Sequence, residues 1–426
     1  MKIRKHSTRL RFGTAVLAGV ILSGTVLAGC GGGRAMQSAD LMTDISADNT
    51  VAENASVKEG DSEAATDFAV RLFQQCEAER ENILISPVSV LYALSMTANG
   101  AEGDTQEQME AVLGLSAEEW NQYLCAYRDM LLSDDNYQVN IANSIWFADE
   151  ERFTVNQDFL QTNANYYEAG IYQTAFDEST RKDINKWVRV NTDGMIKEIL
   201  GEIPEDAVMY LVNALSFEAE WQTVYEKNQI RDGEFTAEDG TVESVQMMYS
   251  KEYDYLETEN ATGFIKYYAD DSYAFVALLP DEGLSVDEYV KTLTGDGLSE
   301  MLNHPESVTV VAAIPKFESE TSLEMSDILV QMGMEDAFDR EKADFSGLGT
   351  STKGNIFINR VIHKTYITVD VKGTKAGAAT AAETVDGVSM EMESRTVYLD
   401  RPFVYMIIDC EENVPIFIGT LMHVAE

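Results

Sequence analysis

The strand-like run Ile356–Lys372 (IFINRVIHKTYITVDVK) passes directly into GTKAGAATAAETVDGVSMEM, Gly373–Met392. The first stretch is β-branched and aromatic. In the second, the even positions Thr374, Ala376, Ala378, Thr380, Ala382 and Thr384 are all small, while Lys375 and Glu383 occupy odd ones. Side chains alternate faces along a strand, so every small residue would point one way and both charges the other. The segment is therefore written to enter a tight space as a strand, although its Gly and Ala content gives it little strand preference of its own. A flexible linker is the competing reading. Only some thirty residues follow, however, and they are strand-like (RPFVYMIID, PIFIGTLMHV) and too few for a domain. They must pack into the body that precedes the loop.

The hinge GTKAGAATA, an exposed loop, then Arg401-Pro402-Phe403 and a terminal hairpin resemble the serpin family of serine protease inhibitors. The resemblance implies an α+β fold of three β-sheets and about eight or nine helices, with an exposed reactive-centre loop at about 373–397. It implies that a target protease attacks the loop and forms a covalent acyl-enzyme complex. The freed arm, hinged through Gly373, Thr374, Ala376, Ala378, Thr380 and Ala382, then inserts into the central sheet. Two positions depart from the family pattern: Val371 stands where Glu is usual, and Lys375, outward by parity, where Glu is common.

The N-terminus carries Lys2, Arg4, Lys5, Arg9 and Arg11, then an apolar run too short for a transmembrane helix, then Leu27-Ala28-Gly29-Cys30. This describes a signal peptide over 1–29, and the small pair before Cys resembles a bacterial lipobox with Cys30 as the lipidated first residue; an ordinary signal peptide is the alternative. A protein so processed is extracellular and anchored to the bacterial cell membrane through that lipid alone. Residues 30–62 are rich in Gly, Ser, Ala and acids, which suits a lipid anchor followed by a disordered tether, leaving 63–426 as the folded domain. The formal charge of −42 becomes −47 once the five basic residues of the signal leave. Such a surface repels nucleic acid and anionic glycosaminoglycans, and the partner expected is a protease meeting a monomer. Cys76, Cys125 and Cys410 are an odd set without CxxC or Cys/His spacing, so neither a disulfide framework nor a metal site follows, and no cofactor is expected.

Along the body, helical spacing and caps mark Thr66–Gln75, Val88–Asn99, Gly103–Leu113, Ser116–Met130, Gln157–Tyr167, Ser285–Leu293 and Ser322–Met332, while Ile184–Thr192 (INKWVRVNT) resembles the serpin helix that covers the face of the sheet. Strand patterns occupy Tyr137–Phe147, Val208–Phe217 and Val308–Lys316, with turns at Glu238–Thr241 and Asp270–Ser272. Strands and helices mix without βα alternation, which argues α+β. Val208–Phe217 is apolar on both faces except for Asn213, and a buried Asn needs partners. The family resemblance supplies them: Ser86, Ser89, Asn213 and His363 form a polar cluster beneath the strands that must part.

The four histidines are His6, His304, His363 and His423, and no GxSxG, HExxH, Walker or dinucleotide motif is present. No nucleophile has a base, so the chain is not read as an enzyme, and His363 is read as a satisfied core histidine. A small-residue hinge favours inhibition over a non-inhibitory serpin-fold binding protein. The family resemblance implies a specificity residue about fourteen positions after the hinge Gly, which from Gly373 gives Gly387, and about eleven before the Pro of the Pro-Phe pair, which from Pro402 gives Glu391. The scissile bond is thus expected within Gly387-Val388-Ser389-Met390-Glu391. Val388 and Met390 suit an elastase-like pocket, with subtilisin-like or papain-like proteases as the alternative.

Overall fold

Three strands buried at every position, Tyr273–Pro280, Phe403–Asp409 and Pro415–Leu421, lie side by side in one sheet, while the long strand Met209–Glu220 crosses another. The computed structural model of the protein describes residues 36–76, 81–131, 137–148, 153–203, 207–352, 354–374 and 393–424. Seven strands form the first sheet, in the order β1 (Ala39–Asp40), β5 (Gly170–Thr174), β3 (Tyr137–Ala148), β6 (Met209–Glu220), β15 (Gly373–Thr374), β14 (Arg360–Val369) and β12 (Phe317–Glu324). A second sheet runs β16 (Ser394–Tyr398), β11 (Glu306–Pro315), β8 (Val242–Glu257), β9 (Ala261–Tyr267), β10 (Tyr273–Pro280), β17 (Phe403–Asp409), β18 (Pro415–Leu421), β2 (Ile83–Ile85), with β7 (Ile230–Thr236) added on β8. A small third sheet pairs β4 (Phe153–Val155) with β13 (Gly349–Ser351).

Ten α-helices lie among the described residues: α1 (Asn49–Asn54), α2 (Asp61–Gln75), α3 (Pro87–Ala98), α4 (Gly103–Leu113), α5 (Ala117–Met130), α6 (Gln157–Tyr167), α7 (Glu178–Asn191), α8 (Val286–Val290), α9 (Gly295–Asn303) and α10 (Ser326–Met332). The architecture is α+β with three sheets, as the sequence implies. Helix α3 is buried at every position. Its first turn is fixed by Pro87 at the start and by Ser86, whose hydroxyl accepts from the Ser89 amide. Each large apolar side chain so buried contributes about 1.5–3 kcal/mol. Strand β6 crosses the core with both faces covered through Phe217. The two-carboxylate turns fall where composition placed them, with Asp270 and Asp271 at φ 65° and 59°.

Three expectations need correction. Ser322–Glu324 belong to β12, because alternating Phe317, Ser319 and Thr321 face inward opposite β14, and the helix begins only at Ser326. The strand expected over 356–372 is confined to Arg360–Val369. The described part of 30–62 is not a disordered tether. Gln37 and Ser38 amides and the Ser38 hydroxyl donate to Asp183 at 2.6, 2.8 and 2.8 Å, and β1 extends the large sheet along β5. Leu41, Met42, Ile45 and Val57 pack on the core, so a few apolar residues in a polar stretch suffice to seat it.

Candidate functional site

The large sheet is parted at one end. Strands β6 and β14 run parallel and pair directly from Tyr210↔Arg360 to Ala214↔Lys364. At the other end β15 lies between them: Gly373 faces Glu220, and Thr374 faces Ala219 on one side and Val369 on the other. Among the described residues, Leu215–Glu218 of β6 carry no strand pairing on that side. Gly373 sits at φ 154°, and a Cβ there would stand 2.0 Å from the Ala219 carbonyl oxygen, so only glycine fits. Thr374 is fully buried and its hydroxyl meets that of Tyr268 at 2.6 Å. The first even-numbered residue of the hinge therefore points inward. Ala376, Ala378, Thr380, Ala382, the window Gly387–Glu391 and Cys30 lie outside the described residues.

The turn that delivers the chain into this gap is held from outside by β6's continuation. The Trp221 amide donates to the Lys372 carbonyl (2.8 Å), its indole N–H to the Asp370 carbonyl (2.8 Å), and the Tyr225 amide to the Val371 carbonyl (3.1 Å). Trp221 stacks on Tyr268 with ring centres 4.4 Å apart. Val371 rests partly buried on the apolar core, a use that a Glu in its place would not have.

The zipped end is fastened by polar groups. Asn213 and His363 are direct neighbours across β6 and β14. His363 Nε2 accepts from the Ser86 amide at 3.0 Å, so Nδ1 carries the proton and faces Asn213 Oδ1 at 3.2 Å. Asn213 also accepts from the Ser89 hydroxyl and donates to the Ser89 carbonyl and to Asn143 Oδ1. All four expected residues meet, with one amendment: Ser86 contributes its backbone N–H, while its hydroxyl caps α3. Burial pushes the His363 pKa down to about 3, which keeps the ring neutral and makes it a fastener, not a base. Asn143 escaped notice, because the strand Tyr137–Phe147 carries two asparagines, Asn140 and Asn143, and sequence does not say which of them is buried against Asn213. Thr365, two residues nearer the gap, donates its hydroxyl to the Leu84 carbonyl at 2.7 Å.

Cys76, Cys125 and Cys410 are free thiols; burial pushes each up, Cys76 to about 12, so none is a ready nucleophile.

A sheet parted above a buried polar latch, with a glycine-led strand lodged in the parting, defines a class of fold, and comparison with known proteins names it. Residues 63–424 match the family model described as serpin (serine protease inhibitor). The chain belongs to the serpin family. It is 32% identical over 365 residues to an uncharacterized serpin-like protein of Methanosarcina acetivorans, covering 83% of this chain and 85% of that one. It is 30% identical over 365 residues to the leukocyte elastase inhibitor of Equus caballus, covering 81% and 94%. Among solved structures, the native state of the thermophilic serpin tengpin is 45% identical, covers 91% of this chain and 100% of its own, and superposes with a TM-score of 0.86. The latent state of tengpin gives 0.77 over 87% of this chain, so the conformation described here is nearer the native one. Human thyroxine-binding globulin, 23% identical with a TM-score of 0.76, shares the fold.

Proposed function

We propose that the protein is a suicide inhibitor of serine proteases with elastase-like pockets, acting by cleavage of its loop after Val388 or Met390 and insertion of the freed arm into the large sheet. One observation carries the reading: Gly373 and Thr374 already lie between β6 and β14 with the small side chain inward. Continued in the same register, the next four residues would face Glu218, Phe217, Ser216 and Leu215, reaching the closed pairing at Ala214 only afterwards. Insertion thus begins in a prepared gap and must then unfasten the Asn213–His363 latch. About a dozen inserted residues, each gaining a backbone hydrogen bond of roughly 0.5–1.5 kcal/mol net, would release on the order of 10 kcal/mol. That rivals the whole stability of a typical protease domain, enough to distort its oxyanion hole and stop deacylation. The protease supplies the chemistry; this chain supplies a metastable spring.

The absence of a basic residue in the window disfavours trypsin-like targets, whose pocket pairs a cation with a buried acid. Lipidation at Cys30 and display at a bacterial cell surface complete the proposal. The test is to incubate the protein with an elastase, look for an SDS-stable complex, and sequence the released C-terminal fragment. A new N-terminus at Ser389 or Glu391 supports the reading, and one at Thr396 overturns it. Complex with a subtilisin or papain but not an elastase transfers the reading to those proteases.

A further inference from the structure

Beside the turn that launches the loop sits a cation that nothing described so far requires. Lys266 on β9 is 2% exposed. Its ammonium lies 4.6 Å from the centre of the Tyr225 ring and 5.2 Å from that of Trp221. Its one ion pair among the described residues is with Glu252, at 3.0 Å. Glu252 is itself held by the Ser250 hydroxyl at 2.5 Å, and that hydroxyl lies 3.4 Å from the Tyr225 hydroxyl. Burial works against the charged ammonium, but Tyr225 and Glu252 outweigh it and leave its pKa raised, so the group stays charged.

Keeping an ion pair inside a core gains no stability over well-packed apolar residues of the same volume. What it provides here is direction. A cation is drawn to ring faces and not to their edges, so one ammonium between two rings sets the orientation of both. These are the two residues whose N–H groups grip Asp370, Val371 and Lys372. With Lys372 gripped, Gly373 and Thr374 fall in the gap between β6 and β14.

We infer that Lys266, braced by Glu252, is a positioning residue for loop insertion: it orients Trp221 and Tyr225 so that the base of the loop is held at the mouth of the sheet. When it is lost, the base loosens, β15 leaves the gap, insertion starts late, and the protease finishes hydrolysis first. This last consequence rests on the inhibitory reading above, whereas the grip itself does not.

The experiment separates the two. Hydrogen exchange of the whole protein is followed by mass spectrometry in wild type, Lys266→Met/Glu252→Gln and Lys266→Arg. The double variant removes both charges together, so no carboxylate is left orphaned in the core. Exchange at the Trp221 and Tyr225 amides should quicken about tenfold in the double variant while β10 and β17 stay protected, and Lys266→Arg, which keeps a cation over the rings, should remain within about twofold of wild type. With an elastase, the ratio of cleaved inhibitor to covalent complex should rise about tenfold in the double variant and not in Lys266→Arg. Unchanged exchange at the two amides, or exchange that quickens equally throughout the protein, overturns the inference. If wild type forms no complex with any protease, the inhibitory reading fails, and the exchange result still decides the role of Lys266.

Discussion

Replacing Thr374 with Arg puts the lodged strand in conflict with its surroundings. The site has no exposed surface, the Thr374 side chain's polar contact among the described residues is the Tyr268 hydroxyl at 2.6 Å, and the one cation beside the Trp221 that stacks on Tyr268 is Lys266, of the same sign. An unpaired guanidinium buried there costs several kcal/mol. The bonds holding Thr374 in place, to Ala219, Val369 and Tyr268, are worth roughly 0.5–1.5 kcal/mol each. Expelling β15 is therefore cheaper than burying the charge, and the gap loses its leading strand. Inhibition depends on insertion outrunning deacylation, and every ~1.4 kcal/mol added to the insertion barrier shifts that race tenfold. In a gel assay against an elastase, covalent complex should fall about tenfold or more while loop cleavage continues. Thr374→Val removes only the hydroxyl and strands that of Tyr268, a cost of about 1–3 kcal/mol, and should retain part of the complex. An unchanged yield of complex from Thr374→Arg refutes the inward-facing hinge.

Gly373→Ala should act the same way without any charge, because its Cβ would stand 2.0 Å from a backbone oxygen that the sheet cannot move; intact complex formation would count against it. His363 has a folded pKa of about 3 against about 6.5 unfolded, so the stability it gives is full above about pH 6.5 and drains at up to ~1.4 kcal/mol per pH unit as pH falls toward 3. Asp409 has the opposite sign: burial raises it to about 6, so its carboxylate costs stability above that pH, by about 3 kcal/mol at most, and the cost disappears as pH falls through 6 toward 4. Asp409→Asn should accordingly raise Tm at pH 7.5 and make the acid-side decline steeper than in wild type; an equal Tm at both ends of the pH range would contradict this. Mass spectrometry of the exported protein should find a lipid on Cys30 as the first residue, and any other N-terminus rules it out.

The parts of the fold that sequence revealed are those where one physical signal dominates. Small residues at alternate positions announce a strand destined for a narrow space, and a single Asn in an all-apolar run announces buried partners. The resemblance then supplied Ser86, Ser89 and His363, which neither period nor composition could bring together across 277 residues of chain. The grip on the loop base was illegible for a different reason. Nothing in spacing or composition singles out Trp221 and Tyr225, and two of their three bonds to the loop base come from backbone amides that sequence does not distinguish. Lys266 and Glu252 sit on separate strands, and each alone looks like one more charge on a highly charged chain. Residues 37–60 were misread because a polar composition describes the exposed side of a segment and is silent about the four or five contacts that seat it.

Those contacts also bear on how far the body could stand from a lipid on Cys30, if one is attached there as proposed. A lipid on Cys30 followed by a free chain to residue 62 would let the body range over about 110 Å, at 3.3–3.6 Å per extended residue. With Gln37 held by Asp183, a lipid on Cys30 would instead have only seven residues of reach, at most about 25 Å of extended chain. Were Cys30 lipidated as proposed, so short a leash would make the protein a fixture of the membrane surface, able to meet only proteases that have already reached the cell.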